Sequence, residues 1–207
     1  MTPPRRSTSR AQARRTVSDQ LAALSGEAAY VVAIDPASTR TGLAVVQVGT
    51  EKVIETALAS APAGRPPIDR MREIAADIET WIRELPIPTG PHIGRLPSTI
   101  VIAVETPSAS RSGQTRKKSG GFGLTTYARA VGRIEHMVEQ LAFDLEHVVS
   151  VDERTWTGKT PKARRTAHVV ATVPEYVPTK DPGQDIADAI GLGLWVSRRL
   201  TALRGAA

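Results

Sequence analysis

The sequence contains no cysteine and no long apolar run. Without cysteine, the chain has no means to form disulfides, thiolate zinc sites or a cysteine nucleophile. No stretch approaches the roughly 18 consecutive apolar residues of a membrane-spanning helix. The 207 residues, 41% of them hydrophobic, are enough for one large domain around a core.

Acidic residues are absent from the first 18 positions, which contain Arg5, Arg6, Arg10, Arg14 and Arg15. These arginines supply five of the six net positive charges, so the rest of the chain is nearly neutral. We predict a disordered basic arm over residues 1–25, which adds non-specific DNA affinity, and one folded domain over 26–207. An arginine-rich, acid-poor start also resembles an organelle transit peptide, which is the alternative for this segment. A basic chain favours polyanionic partners.

Two short β-branched apolar runs, each followed by an acid, organise the predicted fold. Residues 31–34 predict a buried central strand that ends at Asp35, because Pro36 cannot continue its hydrogen-bond ladder. Residues 43–48 and 51–60 predict two antiparallel partners. The run at 99–104 predicts another strand, followed by Glu105, and 147–151 a short one. Apolar residues at helical spacing predict helices over 68–85, 124–143, 160–173 and 186–203. We expect the helix at 160–173 to begin with Thr160 as its N-cap and Pro161 as its first residue.

The acids should meet at one edge of the sheet. A strand connected through a helix lies parallel to the first by the right-handed crossover rule, which places Asp35 and Glu105 at the same end. Asp185 and Asp188 are three residues apart and therefore share a helix face. Turn capping is the alternative for Asp35, and helix-dipole capping for the later pair.

Four converging carboxylates, with no cysteine and few histidines, favour a hard divalent cation, Mg²⁺ or Mn²⁺. Two such ions can stabilise both the attacking and the leaving oxygen of a phosphoryl displacement. In a basic protein this arrangement predicts cleavage or transfer of a phosphodiester. The acids should repel one another when no cation is bound.

Three segments, AIDPASTRTGLAVV, IVIAVETPS and QDIADAIGLGLW, resemble in order and spacing the RuvC family of Holliday-junction resolvases, within the ribonuclease H-like superfamily. The resemblance covers roughly residues 30–200. It implies an α/β fold, a mixed five-stranded sheet flanked by helices on both faces. It also implies a homodimer that nicks four-way DNA junctions in pairs, with Mg²⁺ or its substitute Mn²⁺, in DNA recombination and repair. Such a protein is expected in the cytoplasm, associated with the nucleoid, in a bacterium or a phage-infected cell.

The resemblance also assigns residues. It implies four catalytic metal ligands, Asp35, Glu105, Asp185 and Asp188. A Gly-x-x-x-Lys segment is matched by Gly158 and Lys162, which makes Lys162 a catalytic candidate that contacts the scissile phosphate. A solvated lysine in the first helical turn is the alternative for Lys162.

Two basic segments are expected to bind DNA, the loop after Glu105 and the late basic helix. Their candidates are Arg111, Arg116, Lys117, Lys118, Phe122, Lys159, Lys162, Arg164 and Arg165. The family often has an aromatic residue just after its catalytic Glu, where this sequence reads Thr106-Pro107-Ser108. Phe122 could replace it, or could instead anchor its loop to the core.

Other functions fit parts of the pattern. Another ribonuclease H-like nuclease would act on flaps, RNA–DNA hybrids or structured RNA. A non-catalytic nucleic-acid scaffold of the same fold would not need all four acids. The sugar kinase and actin ATPases share the strand-Asp-turn start, with Thr39, Thr41 and Gly42 as a phosphate loop, but need two such domains.

For the dimer, the helix at 124–143 is the candidate contact, unless its apolar face is used within its own chain.

Overall fold

The structure, a computed structural model, describes residues 16–87, 96–107, 122–142 and 144–206. Its centre is a sheet of five strands in the order β3-β2-β1-β4-β5. The strands are β1 Tyr30–Asp35, β2 Arg40–Gln47, β3 Val53–Ser60, β4 Ile100–Thr106 and β5 Val148–Asp152. β1 pairs antiparallel with β2 and parallel with β4, and β5 continues the parallel half. The predicted mixed five-stranded sheet, with β1 parallel to β4, is confirmed.

Helices cover both faces of this sheet, as predicted. They are α1 Val17–Leu24, α2 Pro67–Arg83, α3 Phe122–Leu141, α4 Glu153–Thr157, α5 Lys162–Thr172 and α6 Asp185–Arg204. Alternate residues of β1 point to opposite faces. Val32 and Ile34 pack with α2 and α3, whereas Val31 and Ala33 pack with α1 and α6. α5 packs on α6, and its Val169 belongs to the same buried cluster as Ala44 and Val46 of β2. None of these described helices is long and apolar enough to cross a membrane.

Helix α1 corrects the expected boundary of the N-terminal arm. Thr16 and Asp19 form a capping box, in which each side chain accepts a hydrogen bond from the other's backbone N–H. Leu21 and Leu24 are buried in the core. The folded domain therefore begins by residue 16 rather than 26, because the helix contributes two leucines to the core; residues 1–15 lie outside the described part of the chain.

The start of α5 also differs from the prediction. Pro161 is the N-cap and Lys162 the first helical residue, one position later than expected. The carbonyl of Thr160 accepts a hydrogen bond from the Arg165 guanidinium instead of starting the helix. Lys162 and Arg165 are therefore both in the first turn, on the side of the sheet edge described below.

Candidate active site

Asp35 and Glu105 occupy neighbouring strand ends. In the parallel ladder Ile34 is the partner of Val104, so the two acids are the next residues of β1 and β4 at the same end of the sheet. Their exposed fractions are only 9% and 7%. The prediction that these acids emerge at one edge is confirmed.

The other two acids lie on the first turn of α6, which is held in place by Asp181. The buried Asp181 carboxylate accepts hydrogen bonds from the backbone N–H groups of Asp185 and Ala187 and from the Tyr176 hydroxyl, all at 2.9–3.0 Å. The formal N-cap, Gln184, has a left-handed backbone and makes no capping bond. Sequence reasoning missed this role, although an Asp four residues before an Asp-x-x-Asp helix is a visible signal for it.

Glycine at position 42 lets this turn approach the sheet. Gly42 lies opposite Asp35 in the hairpin register. A Cβ atom there would lie 1.9 Å from the carbonyl oxygen of Asp185, closer than any real contact. The missing side chain therefore brings the α6 acids next to the strand that carries Asp35.

The four acids line one cleft of about 700 Å³. Of the predicted phosphate and DNA contacts, Lys159, Lys162 and Arg165 also line it, and Arg164 does not. Phe122 begins α3, but its side chain is outside the described part of the structure, as are Arg111, Arg116, Lys117 and Lys118.

Lys162 contacts the acids directly. Its Nζ lies 2.8 Å from Asp188 Oδ2 and 3.8 Å from Asp185 Oδ1. Partial burial lowers the pKa of Lys162, but the Asp188 contact and the charges of Asp188, Asp35 and Asp185 outweigh burial and raise it. The lysine is therefore a fixed positive charge facing the cleft.

Trp156 and Arg165 link the two pairs of acids. The Trp156 indole N–H donates to Glu105 Oε2 at 2.7 Å. The Arg165 guanidinium lies 5.1 Å from the Trp156 ring centre and donates to Asp188 Oδ1 from Nε and Nη2, at 3.1 and 2.9 Å. Gly191 leaves room for the ring, since a Cβ there would lie 2.9 Å from it. Nothing in the sequence pattern identified Trp156, because its short helix was not predicted.

Burial raises the pKa values of Asp35, Glu105 and Asp185, which favours their protonated forms. Burial, together with the charges of Glu105 and Asp188, raises the pKa of Asp35 well above its usual range. Burial raises the pKa of Glu105 to about 7, against the lowering effect of the Trp156 hydrogen bond. Burial also raises the pKa of Asp185, although Lys162 and Arg40 partly offset it. A bound cation would remove this cost of ionisation.

By donor type, the cleft fits a divalent cation. It offers carboxylate oxygens, which Mg²⁺ and Mn²⁺ prefer. One of them, Asp185 Oδ2, is buried without a hydrogen bond, although Arg40 Nε lies 3.2 Å away. Among the described residues, no three Asp, Glu or His side chains are already gathered as a metal site. Arg40 lies on an oxygen of Asp185 and Lys162 on an oxygen of Asp188 instead, so cation binding requires these two contacts to be exchanged.

Comparison with known proteins gives a match in structure alone. No protein family model matches the sequence, and no curated protein does. The fold is similar to that of T. thermophilus RuvC in complex with Holliday junction substrate, with a TM-score of 0.56 and 18% identity over 86% of this chain and 97% of that one. A second Thermus thermophilus RuvC structure gives a TM-score of 0.51 and 19% identity over 85% and 96%. The yeast mitochondrial Holliday junction resolvase Ydc2 gives 0.46 and 13% identity over 89% and 88%. The chain therefore has the ribonuclease H-like fold of the RuvC resolvases.

Proposed function

We propose that this protein is a Mg²⁺-dependent, structure-selective endonuclease that resolves four-way DNA junctions by paired phosphodiester hydrolysis. The observation that carries the proposal is the convergence of four carboxylates and Lys162 in one cleft. The RuvC fold, seen in a complex with a Holliday junction, supports branched DNA as the substrate. Mn²⁺ should replace Mg²⁺, because both ions prefer oxygen ligands.

Each side chain has a distinct part in this proposal. Asp35, Glu105, Asp185 and Asp188 would hold the cations, which supply Lewis-acid stabilisation of charge on the reacting phosphate. Lys162, displaced from Asp188 by cation binding, is placed to contact a phosphate oxygen at the scissile bond. Trp156 and Arg165 are positioning residues. Trp156 holds one carboxylate oxygen of Glu105 and Arg165 holds one of Asp188, so that the second oxygen of each acid is oriented toward a cation.

Two contacts argue against the ATP-binding alternative. Thr41 is fully buried in β2, and the Gly42 Cα is covered by the backbone of Asp185. A phosphate loop needs open space at these residues for the nucleotide, and the start of α6 fills that space.

The test is a cleavage assay on four labelled substrates with and without Mg²⁺: a four-way junction, a flap, a plain duplex and an RNA–DNA hybrid. We expect paired nicks in the junction and none in EDTA. Asp35→Asn and Asp188→Asn should each lower the cleavage rate by orders of magnitude while DNA binding persists, since negative charge near phosphate is removed. Asp77→Asn, an exposed acid on α2, is the matched control and should cleave normally. Cleavage in EDTA or by Asp35→Asn would contradict the mechanism, and preference for the flap or hybrid would contradict the substrate.

Paired cutting also requires two active sites, so the proposal includes a two-fold dimer. The apolar face of α3, the predicted contact, is used within its own chain, where Ile134 and Val138 are buried with α2 and the sheet. Any contact through α3 from Thr125 onward, where its side chains are described, must therefore use the exposed polar face. The solution mass should be about twice the 22.1 kDa of one chain, and a cruciform plasmid should be linearised. A monomer that still makes paired cuts would contradict the dimer.

A further inference from the structure

A second groove lies between α5 and α6, on the far side of the cleft wall. It has a volume of about 410 Å³. We call it the α5–α6 groove and define it by Trp156, Arg164, His168, Leu194, Trp195 and Arg198. Neither the four acids nor Lys162 line it, so it is separate from the residues proposed to contact the cations and the reacting phosphate.

The groove continues from the catalytic cleft. Thr157, Thr160 and Arg165 line both spaces, so the segment between α4 and α5 forms the rim between them. A chain molecule whose reacting group lies at the acids can therefore cross this rim into the groove without leaving the protein surface.

The charges of the groove suit a polyanion. Arg164 and His168 are exposed and lie four residues apart on α5, so they are about 6 Å apart along one face of the helix. Arg198 faces them from α6 and pairs with Glu51 at 2.8 Å. Both partners of that pair are more than 40% exposed, so solvent screens the pair and Glu51 can be exchanged for another anion. None of the described residues that line the groove is acidic.

The floor of the groove is apolar. Val169 and Leu194 line it and are almost fully buried. Arg165 covers the Trp156 ring, and Arg199 lies 5.1 Å from the Trp195 ring centre. Since cations already lie against both rings, the groove is better suited to a sugar–phosphate backbone than to stacked bases.

We propose that the α5–α6 groove binds the sugar–phosphate backbone of a DNA strand that runs on from the catalytic cleft. The proposal rests on the proposed function for the direction of the strand. Arg164 and His168 contact phosphates from one wall, and Arg198 exchanges Glu51 for a phosphate on the other.

The test measures junction binding in EDTA by fluorescence anisotropy over 50–200 mM salt, so it does not depend on cleavage. Replacing Arg164 and His168 together by Ala, a residue that favours helices, should lower the log–log salt slope by about 0.9 for each phosphate that the variant no longer neutralises. Adding a negative charge with His168→Glu should weaken binding more than His168→Ala does. Arg72→Ala, on α2 across the sheet, removes an exposed arginine elsewhere and should leave the slope unchanged.

Other outcomes overturn the proposal. An unchanged slope in the double variant means that the groove does not contact DNA. An equal drop in Arg72→Ala means that net charge alone is responsible. If the double variant binds the junction normally but no longer binds poly-glutamate, the groove accommodates an acidic polypeptide instead. Absence of nuclease activity in the wild type would contradict the proposed function alone, because the salt slope would still decide whether the groove binds DNA. Thermal unfolding of each variant checks that the fold is intact.

Discussion

Glu105 should make the metal-free protein less stable as pH rises. Its carboxyl group is buried, and its pKa is raised from 4.5 to about 7 in the folded protein. Below pH 4.5 the group is protonated in both the folded and the unfolded chain and has no effect. Between pH 4.5 and 7 the unfolded chain releases this proton first, so the free energy of unfolding falls with pH and then levels off. At about 1.4 kcal/mol per pH unit, the loss is about 3 kcal/mol.

Glu105→Gln removes this loss and keeps an oxygen that can accept the Trp156 N–H. We expect the variant and the wild type to be similarly stable near pH 4.5, and the variant to be about 3 kcal/mol more stable at pH 8. The assay is urea unfolding in EDTA, followed by circular dichroism across this pH range. Saturating Mg²⁺ should reduce or reverse the difference at pH 8, because the cation stabilises only the carboxylate.

Glu51→Gln is the matched control. The pKa of Glu51 is lowered by its hydrogen bond to Arg198, so this carboxylate stabilises the folded state above its unfolded pKa. The control should therefore be slightly less stable than the wild type at pH 8, by at most about 1 kcal/mol for an exposed pair. A Glu105→Gln difference that does not change with pH, or a variant less stable than the wild type at pH 8 in EDTA, would refute the reasoning.

Three further predictions concern residues around the acids. Trp156→Phe should weaken Mn²⁺ binding, measured by calorimetry, by about 10–100-fold, because the Glu105 carboxylate loses the donor that orients it. The control Trp195→Phe should bind Mn²⁺ normally, and equal affinities in the two variants would contradict the positioning role of Trp156. Gly42→Ala should lower the melting temperature by about 5 °C or more, since its Cβ overlaps the backbone of α6, and Gly64→Ala, with open space around it, should have little effect. Asp181→Asn should lower the free energy of unfolding in urea by about 1–3 kcal/mol, because an amide cannot accept all three hydrogen bonds. It should also speed hydrogen exchange in the first turn of α6, and unchanged exchange would contradict the anchoring role of Asp181.

The sheet and the meeting of the acids could be predicted because short-range patterns determine them. β-branched runs before Asp35 and Glu105 mark buried strands, and the crossover rule makes those strands parallel. The three-residue spacing of Asp185 and Asp188 was enough to predict that they share one face of a helix. The order of the elements then leaves one edge of the sheet at which all four acids can meet.

The contacts that hold the acids in place could not be predicted in the same way. Trp156 and Glu105 are 51 residues apart, and no periodicity connects them. Arg165 is predicted to bind DNA because it lies in a basic helix, and its hydrogen bond to Asp188, 23 residues away, has no sequence signal. The arm was predicted too long because its arginines suggested disorder, although the capping box at Thr16 marks the start of a helix.

The packing of α6 on the sheet has a consequence for the ion selectivity of the proposed metal site. Two of the proposed ligands belong to strands and two to α6, so the distance between the pairs depends on the spacing between the helix and the sheet. Gly193 sets that spacing, since a Cβ there would lie 2.7 Å from Val46 Cγ2 and 3.3 Å from Ala33 Cβ. Mg²⁺ requires oxygen ligands at about 2.0–2.1 Å, whereas Ca²⁺ accepts about 2.3–2.6 Å. One methyl group at Gly193, five residues from the nearest acid, would therefore shift the site toward larger ions without changing any ligand.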